Sequence, residues 1–351
     1  MKDSLFPSLI SGLLCLVFLL LPLPRAAGAE AAAPASAPIA PVSEATAEAV
    51  QPEDTLPPFD AATSITLRTA DGTVSLPLDE YLTGVLLAEM PADFPAAALQ
   101  AQAIAARTFT LQKINMHKHP DADICADSAC CQGWLDPEGA DCTALREAVQ
   151  TTDGLVVTYD GALIDATFFS CDGGRTESAL AVWGSDVAYL QAVDSPESED
   201  SDRYAEEKRF SEQELLDLLR TAYPDLTPGD APWFRDLCYT DGGGLDSATV
   251  GGVTFRGTEL RKLLGLRSTD MEISQAAGYI TVSTQGFGHR VGLSQYGAKA
   301  MAEEGADFAE ILTHYYQGTA LRRLVREDEE PAARRGLGSP YKGAPARGTR
   351  D

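Results

Sequence analysis

Basic residues are scarce in this chain: 27 Lys and Arg stand against 52 Asp and Glu, a formal net charge of -25 at pH 7 over 351 residues. That deficit opposes the counterion release on which nucleic-acid binding depends, and it equally opposes docking on anionic lipid. A neutral or mixed-charge substrate is easier to accept. No internal repeat is present, and nothing like the His-Glu helix of a zinc protease appears. Apolar residues, by contrast, are plentiful. With 44% hydrophobic and 23% charged residues, the composition fills the core of one large or two small domains and is not that of a disordered protein.

The start, MKDSLFPSLISGLLCLVFLLLPLPRAAGAEAAA, has an apolar run from about Leu9 to Leu23, followed by small residues at Ala27 and Ala29 where a signal peptidase would cut. Residues 1–29 thus read as an export signal or a membrane anchor, and the protein is expected outside the cytoplasmic membrane, at its outer face or in the wall. Pro22 and Pro24 in a short run favour cleavage, whereas the cancelling Lys2 and Asp3 leave the anchor open. Residues 30–60 are rich in Ala and Pro, bury too little apolar surface to offset ordering, and read as a tether. Residues 331–351 (PAARRGLGSPYKGAPARGTRD) read as a disordered, basic tail.

The span 61–330 reads as the folded domain. SITLRTADGTVSLPL alternates like two strands about an Asp-Gly turn, and GLVVTYDGALIDATFFS repeats the pattern after two helices. Two-residue turns imply antiparallel pairing, so the fold class is α+β, antiparallel sheets with packed helices. Residues 194–209 (DSPESEDSDRYAEEKR) read as a charge-dense surface loop, and SEQELLDLLRTAY as a capped amphipathic helix. Residues from about 195 to 260 suggest a peripheral subdomain. GGVTFRGTELRKLLGL reads as a hairpin entering a short helix, and GYITVSTQGFGHRVGLSQYGAKAMAEEG as a strand, a Gly-rich turn and a helix.

One carboxylate stands out. On a wheel of 100° per residue, Leu78, Leu82, Val85 and Leu86 form one stripe, and Glu89 falls between the directions of Leu78 and Leu82. It points where the core points. It also lies in the last turn, because Pro91 stops the helix, so the negative end of the helix dipole adds to desolvation in raising its pKa. A carboxyl kept protonated near neutral pH on a rigid element is what a general acid for a glycosidic bond requires. The alternative is a buried structural ion pair with Arg107. The next helix, beginning at Pro95, is apolar nearly all round, so Gln102 and Arg107 on it need partners: sugar hydroxyls, Glu89, backbone carbonyls or solvent.

The phrase YLTGVLLAEMPADFPAAALQAQAIAARTFTL closely resembles the signature of the stage II sporulation protein D family, which includes the enhancer of a cell-wall amidase. ADICADSACCQGW, ATFFSCDGGRTES, VWGSDVAYLQAVDSP, GTELRKLLGLRST and GFGHRVGLSQYGAKAMAEEGADFAEILTHYYQGT continue the resemblance in order, from about Ser64 to Leu324. It implies a lytic transglycosylase of peptidoglycan with Glu89 of the EMP motif as the catalytic residue, acting in engulfment during endospore formation. It also implies a glycan-binding groove, with Ser170, Tyr189, His289, Gln295 and Tyr296 as substrate-binding candidates, to which the reading of the second helix adds Arg107. Gly286, Gly288 and Gly292 would let backbone N–H groups approach a sugar chain, or form a tight turn. Arg290 stands where the family usually has Gly, so the groove would be narrower or more basic if that position faces the glycan. Glycan strands stripped of stem peptides and the stage II sporulation proteins P and M are the partners the resemblance implies, with no nucleic acid. A non-catalytic wall-binding amidase enhancer and a zinc hydrolase are the competing functions.

Beyond Cys15 in the leader, six cysteines remain: Cys125, Cys130, Cys131, Cys142, Cys171 and Cys238. HKHPDADICADSACC gathers His117, His119, Cys125, Cys130 and Cys131 in fifteen residues, a spacing that suits tetrahedral zinc. Some family members are similar here and hold a zinc with one His and two Cys, which residue by residue selects His119, Cys125 and Cys131, in a structural role. Disulfides are the alternative, Cys125 with Cys131 or Cys142 and Cys171 with Cys238.

Overall fold

The computed structural model describes residues 58–196 and 201–325. The leader at 1–29, the tether up to residue 57 and the tail at 331–351 lie outside them. Folded structure begins at α1 (Phe59–Ala62), whose Phe59 and Asp60 are already buried, so the last tether residues belong to the core.

β1 (Ser64–Thr69) and β2 (Gly72–Pro77) form the first antiparallel hairpin, with Ile65 opposite Leu76 and Leu67 opposite Val74. α2 (Leu78–Glu89) follows directly. Its apolar stripe of Leu78, Leu82, Val85 and Leu86 is fully buried, and it ends where Met90 turns extended ahead of Pro91. α3 (Ala96–Asn115) is capped by Pro95 and buried on nearly every side. Its run of alanines lets other elements approach closely, and it packs against α2, α4 (Thr143–Thr151), β4 (Leu155–Tyr159) and two later helices. It is the central rod of the main core.

Two short parallel pairings sit among the antiparallel ones. β3 (Ile124–Cys125) pairs with β1, carrying Cys125 beside Arg68. β4 returns through Asp160 and Gly161, both at positive φ, to β5 (Ala162–Leu163), as a two-residue hairpin turn demands. β6 (Phe168–Phe169) precedes α5 (Ala179–Trp183).

Beyond residue 201 a second core forms. β7 (Ala205–Ser211) runs into α6 (Glu212–Arg220) through a capping box between Ser211 and Glu214. β8 (Arg235–Tyr239), β9 (Leu245–Val250) and β10 (Val253–Arg256) make one antiparallel sheet, and α7 (Gly257–Leu263) leads to β11 (Asp270–Ala276) and β12 (Tyr279–Gln285). Leu215, Leu219, Trp233, Phe255, Leu260, Ile280 and Val282 close this core. It therefore extends past the expected limit near residue 260 to include β11 and β12.

The expected loop over 194–209 is corrected in its second half, because β7 pairs with β12 from Ala205–Gln285 to Ser211–Tyr279. β7 lies at the sheet edge, where charged side chains on both faces are tolerated and guard against unwanted pairing. That composition hid the strand.

The chain then returns to the main core. β13 (Leu293–Ser294) pairs in parallel with β6, and α8 (Gln295–Glu303), α9 (Phe308–Tyr315) and β14 (Ala320–Arg323) complete it, β14 pairing with β4. The fold is α+β as expected, with antiparallel sheets and packed helices. The β6–β13 pairing brings the 168–170 segment against the start of α8, which matters for the site.

Candidate active site and metal centre

Glu89 closes α2, half-buried, with Oε1 accepting a hydrogen bond from the Gly133 backbone N–H at 3.2 Å. Burial pushes its carboxyl above the ordinary value, and the Gly133 N–H and the Gln295 amide pull partly the other way. Gly133 permits this approach: a Cβ there would lie 2.9 Å from Oε1. Nε2 of Gln295 is buried without an acceptor in bonding geometry, although its amide is near enough to act on the carboxyl.

Two cavities meet at Glu89. One, of about 280 Å³, is walled by Phe169, Gln132, Phe287, His289 and Cys131. The other, of about 370 Å³, is walled by Met90, Pro91, Phe94, Asp202 and Tyr296. Ala88, Glu89, Ser170, Arg203 and Gln295 line both. The Glu89 carboxyl thus borders both compartments.

Ser170, His289, Gln295 and Tyr296 are brought together here. The Tyr296 N–H donates to the Ser170 carbonyl at 3.0 Å, tying α8 to the segment after β6. The Tyr296 ring meets Phe94 edge-on at 5.1 Å. His289 lies between the rings of Phe169 (5.7 Å) and Trp183 (5.2 Å), and its Nδ1 accepts from the Val291 N–H at 3.1 Å. Burial, followed by the nearby Arg261 charge, pushes its pKa down to about 4, so the ring is neutral at physiological pH with its proton on Nε2.

Three other expectations are corrected. Arg107 is fully buried on α3, and its guanidinium forks onto Asp60 (Nε 2.9 Å, Nη2 2.5 Å) while donating to the carbonyls of Leu155 and Val149. It pairs with Asp60 rather than Glu89 or a substrate; Asp60 escaped notice because the tether was drawn through it. Tyr189 lines neither cavity; its hydroxyl accepts from the Asp165 N–H at 3.1 Å and its ring rests on Tyr159. Arg290 is also buried and faces away, with Nη2 donating to the carbonyls of Arg175 (2.8 Å) and Gly242 (2.7 Å) beside Asp270 at 3.2 Å. Those anchors hold it at φ 63°, a left-handed conformation that explains why Gly suits the position. Gly288 and Gly292 serve close packing: a Cβ would meet Phe169 Cβ at 2.8 Å and the Thr167 carbonyl at 2.2 Å respectively. Sequence reasoning missed Gly133, Gln132, Phe287 and Arg203. The QGW after the cysteines was a usable signal for the first two; Arg203 was lost among the charges of its loop.

The His/Cys segment folds into one cluster. The ligand atoms of His119, Cys125, Cys130 and Cys131 lie within 4.8 Å of one another, with His119 Nε2 at 3.2 Å from Cys131 Sγ and 3.9 Å from Cys130 Sγ. Bonds of about 2.0–2.3 Å at tetrahedral corners need spacings of this size, and imidazole with thiolates is zinc's donor chemistry. The residues fit a metal, and Cys130 joins the three selected by resemblance. His119 Nδ1 faces the Arg68 guanidinium at 3.0 Å, and Arg68 also pairs with Asp121 at 3.3 Å. Ligation through Nε2 requires the ring proton on Nδ1, so Arg68 must yield there and Asp121 is the nearby acceptor. The alternative disulfides are not formed, since all six cysteines among the described residues are free and Cys142 is packed in the main core. Gln132, next to Cys131, donates to Tyr81 Oη (3.1 Å) and Thr110 Oγ1 (2.7 Å). The cluster and that amide together hold the backbone that presents Gly133 to Glu89.

The family model described as Stage II sporulation protein matches residues 68–159, a span that contains both Glu89 and the cysteine cluster. The chain is 36% identical over 268 residues to Stage II sporulation protein D of Bacillus amyloliquefaciens, covering 72% of this chain and 77% of that protein. The same figures hold for Stage II sporulation protein D of Bacillus subtilis (strain 168). It is also 29% identical over 290 residues to the Amidase enhancer of Bacillus subtilis, where the match spans 40% of the longer protein. With identity at that level along most of its length, this chain belongs to the stage II sporulation protein D family.

Proposed function

We propose that this protein is a lytic transglycosylase that cleaves the bond between N-acetylmuramic acid and N-acetylglucosamine in peptidoglycan, in wall remodelling during sporulation. The observation that carries the reading is Glu89, whose burial raises its pKa, on the ridge between two cavities. As the acid, Glu89 protonates the glycosidic oxygen. As the carboxylate, it takes the proton of the 6-hydroxyl of the muramoyl sugar, whose oxygen closes on the anomeric carbon to give a 1,6-anhydro ring. One carboxyl does both tasks in turn, so the second carboxylate of an ordinary glycosidase is not required. The Gly133 N–H and the Gln295 amide stabilise the carboxylate form between the two proton transfers.

His119, Cys125, Cys130 and Cys131 would hold zinc, which when bound crosslinks the loop after α3 to the wall of the site. The export signal read in residues 1–29 would put the activity on the extracytoplasmic side, and the family resemblance supports peptide-stripped glycan as substrate and the stage II sporulation proteins P and M as partners. Digestion of such strands by the folded domain tests the reading: sugars ending in 1,6-anhydro-N-acetylmuramic acid support it. A second reading, a wall-binding enhancer of an N-acetylmuramoyl-L-alanine amidase, is favoured by the likeness to the Amidase enhancer. Full stimulation of an amidase by Glu89→Gln, with no cleavage by wild type, would establish that reading instead.

A further inference from the structure

The feature left unexplained is Arg203. Its side chain is exposed on the ridge, lines both cavities, and is the basic residue of their walls. The guanidinium carbon lies 5.2 Å from the Phe287 ring centre, and the Arg203 backbone N–H donates to Ser201 Oγ at 3.2 Å. Phe287 is itself pinned, its N–H donating to the Cys171 carbonyl at 2.7 Å. No carboxylate among the described residues forms an ion pair with Arg203, whereas Arg267, which reaches the Asp202 carbonyl, pairs with Glu206 at 3.3 Å, and Arg175 and Arg290 have two such pairs each. In a chain of net charge -25, an unpaired arginine held over an aromatic ring inside a cleft is placed to meet an anion.

A peptidoglycan strand without stem peptides offers one kind of anion, the lactyl carboxylate on each N-acetylmuramic acid. Where a stem peptide is attached, that carboxyl is an amide and carries no charge at the attachment point. We propose that Arg203 binds the free lactyl carboxylate of the muramoyl residue and makes this site selective for peptide-free sugars. The inference rests on the glycan-cleaving reading above and adds to it the residue that reads the substrate.

Asp202 sets the direction. It lines the 370 Å³ cavity beside Arg203, whereas among the described residues Glu89 is the only carboxylate on the walls of the 280 Å³ cavity. An anionic sugar is therefore repelled from the Asp202 side and accepted on the Phe287 and His289 side. The muramoyl residue occupies the smaller cavity and the uncharged N-acetylglucosamine the larger, with their linkage over Glu89.

The test uses two substrates: peptide-stripped glycan strands with free lactyl carboxylates, and the same strands with those carboxyls converted to methylamides. Wild type should favour the free acid in kcat/KM by roughly 10- to 100-fold, the scale of one charge-assisted hydrogen-bonded pair. Arg203→Gln should bring the ratio close to one, and Arg203→Lys should restore part of it. Because a slow variant could prevent the comparison, binding of both strands is also measured by calorimetry with Glu89→Gln and with the double variant Glu89→Gln/Arg203→Gln. A preference for the acid in the former that is absent from the latter supports the assignment. Equal cleavage of the two strands by wild type, or a binding preference that survives in the double variant, would overturn it while leaving the transglycosylase reading intact. Failure of folded wild type to cleave either strand would overturn both.

Discussion

A carboxyl whose folded pKa is raised favours the native state only while protonated. For Glu89 the native protein holds the extra proton between the ordinary value of 4.5 and the raised folded value, so stability falls as pH climbs through that window. Glu89→Gln removes the burden, and we expect the variant to melt no lower than wild type above that window, the two curves converging as pH falls below 4.5. Glycan cleavage should vanish in the same variant. A Glu89→Gln protein that is less stable at neutral pH would mean that the carboxylate is a structural partner. His289 has the opposite sign: its pKa is lowered to about 4 from 6.5, so the stability that its neutral form contributes is present above 6.5 and is lost as pH drops toward 4. Its NMR titration should have a midpoint near 4, and one near 6.5 would show a solvated ring. Glu89 was legible in the sequence because helical periodicity fixes which face a residue occupies and Pro91 fixes where the helix ends. His289 was legible only as a member of a resembling motif. Nothing in local spacing could report that Trp183 and Phe169, far apart in the chain, would enclose it.

Among the elements, α3 is the rod on which the site is built, and Arg107 is its buried charge. The side chains of Arg107 and Asp60 are 0% and 2% exposed, so Arg107→Ala strands a carboxylate in the core, and about 3–5 kcal/mol of stability should be lost in denaturant unfolding. A loss below about 1 kcal/mol would mean that the pair is solvated in the working protein. The sequence showed that Arg107 needed a partner but could not name it, because Asp60 lies in α1, across the core. The cysteine loop acts at the same scale. Cys131 is two residues from Gly133, whose N–H contacts Glu89, so a metal held by the cluster would brace that backbone. We expect chelation to lower kcat more than it raises KM and to increase amide exchange at 131–135, with zinc restoring both. Unaltered exchange at those amides after chelation would separate the metal from the active site. Cys130 was passed over because resemblance supplied three ligands. The chain fold, with Cys130 and Cys131 adjacent after β3, brings a fourth.

In the whole molecule, two hydrophobic cores are joined by the segments that supply the site. The main core contributes Glu89, Ser170 and Gln295, and the turn after β12 contributes Phe287 and His289. The α+β class and the β1–β2 and β4–β5 hairpins followed from alternation and Asp-Gly turns. The parallel β1–β3 and β6–β13 pairings did not, since two-residue strands between distant segments leave no periodic trace. Yet those pairings place Cys125 and Ser170. In a chain of net charge -25, Arg203 on the walls of both cavities is the group that the proposed substrate, with a carboxylate on every second sugar, would meet.

In the proposed mechanism Glu89 alone performs both proton transfers. Among the described residues, Asp202 is the other carboxylate on the cavity walls, and it is the group that a hydrolytic mechanism would recruit. The direct measurement is the mass of the products released from peptide-stripped glycan by wild type, Asp202→Asn and Glu89→Gln. Wild type and Asp202→Asn should both release 1,6-anhydro-ended sugars, and Glu89→Gln should release none. Reducing-end sugars from wild type that disappear in Asp202→Asn would contradict that mechanism.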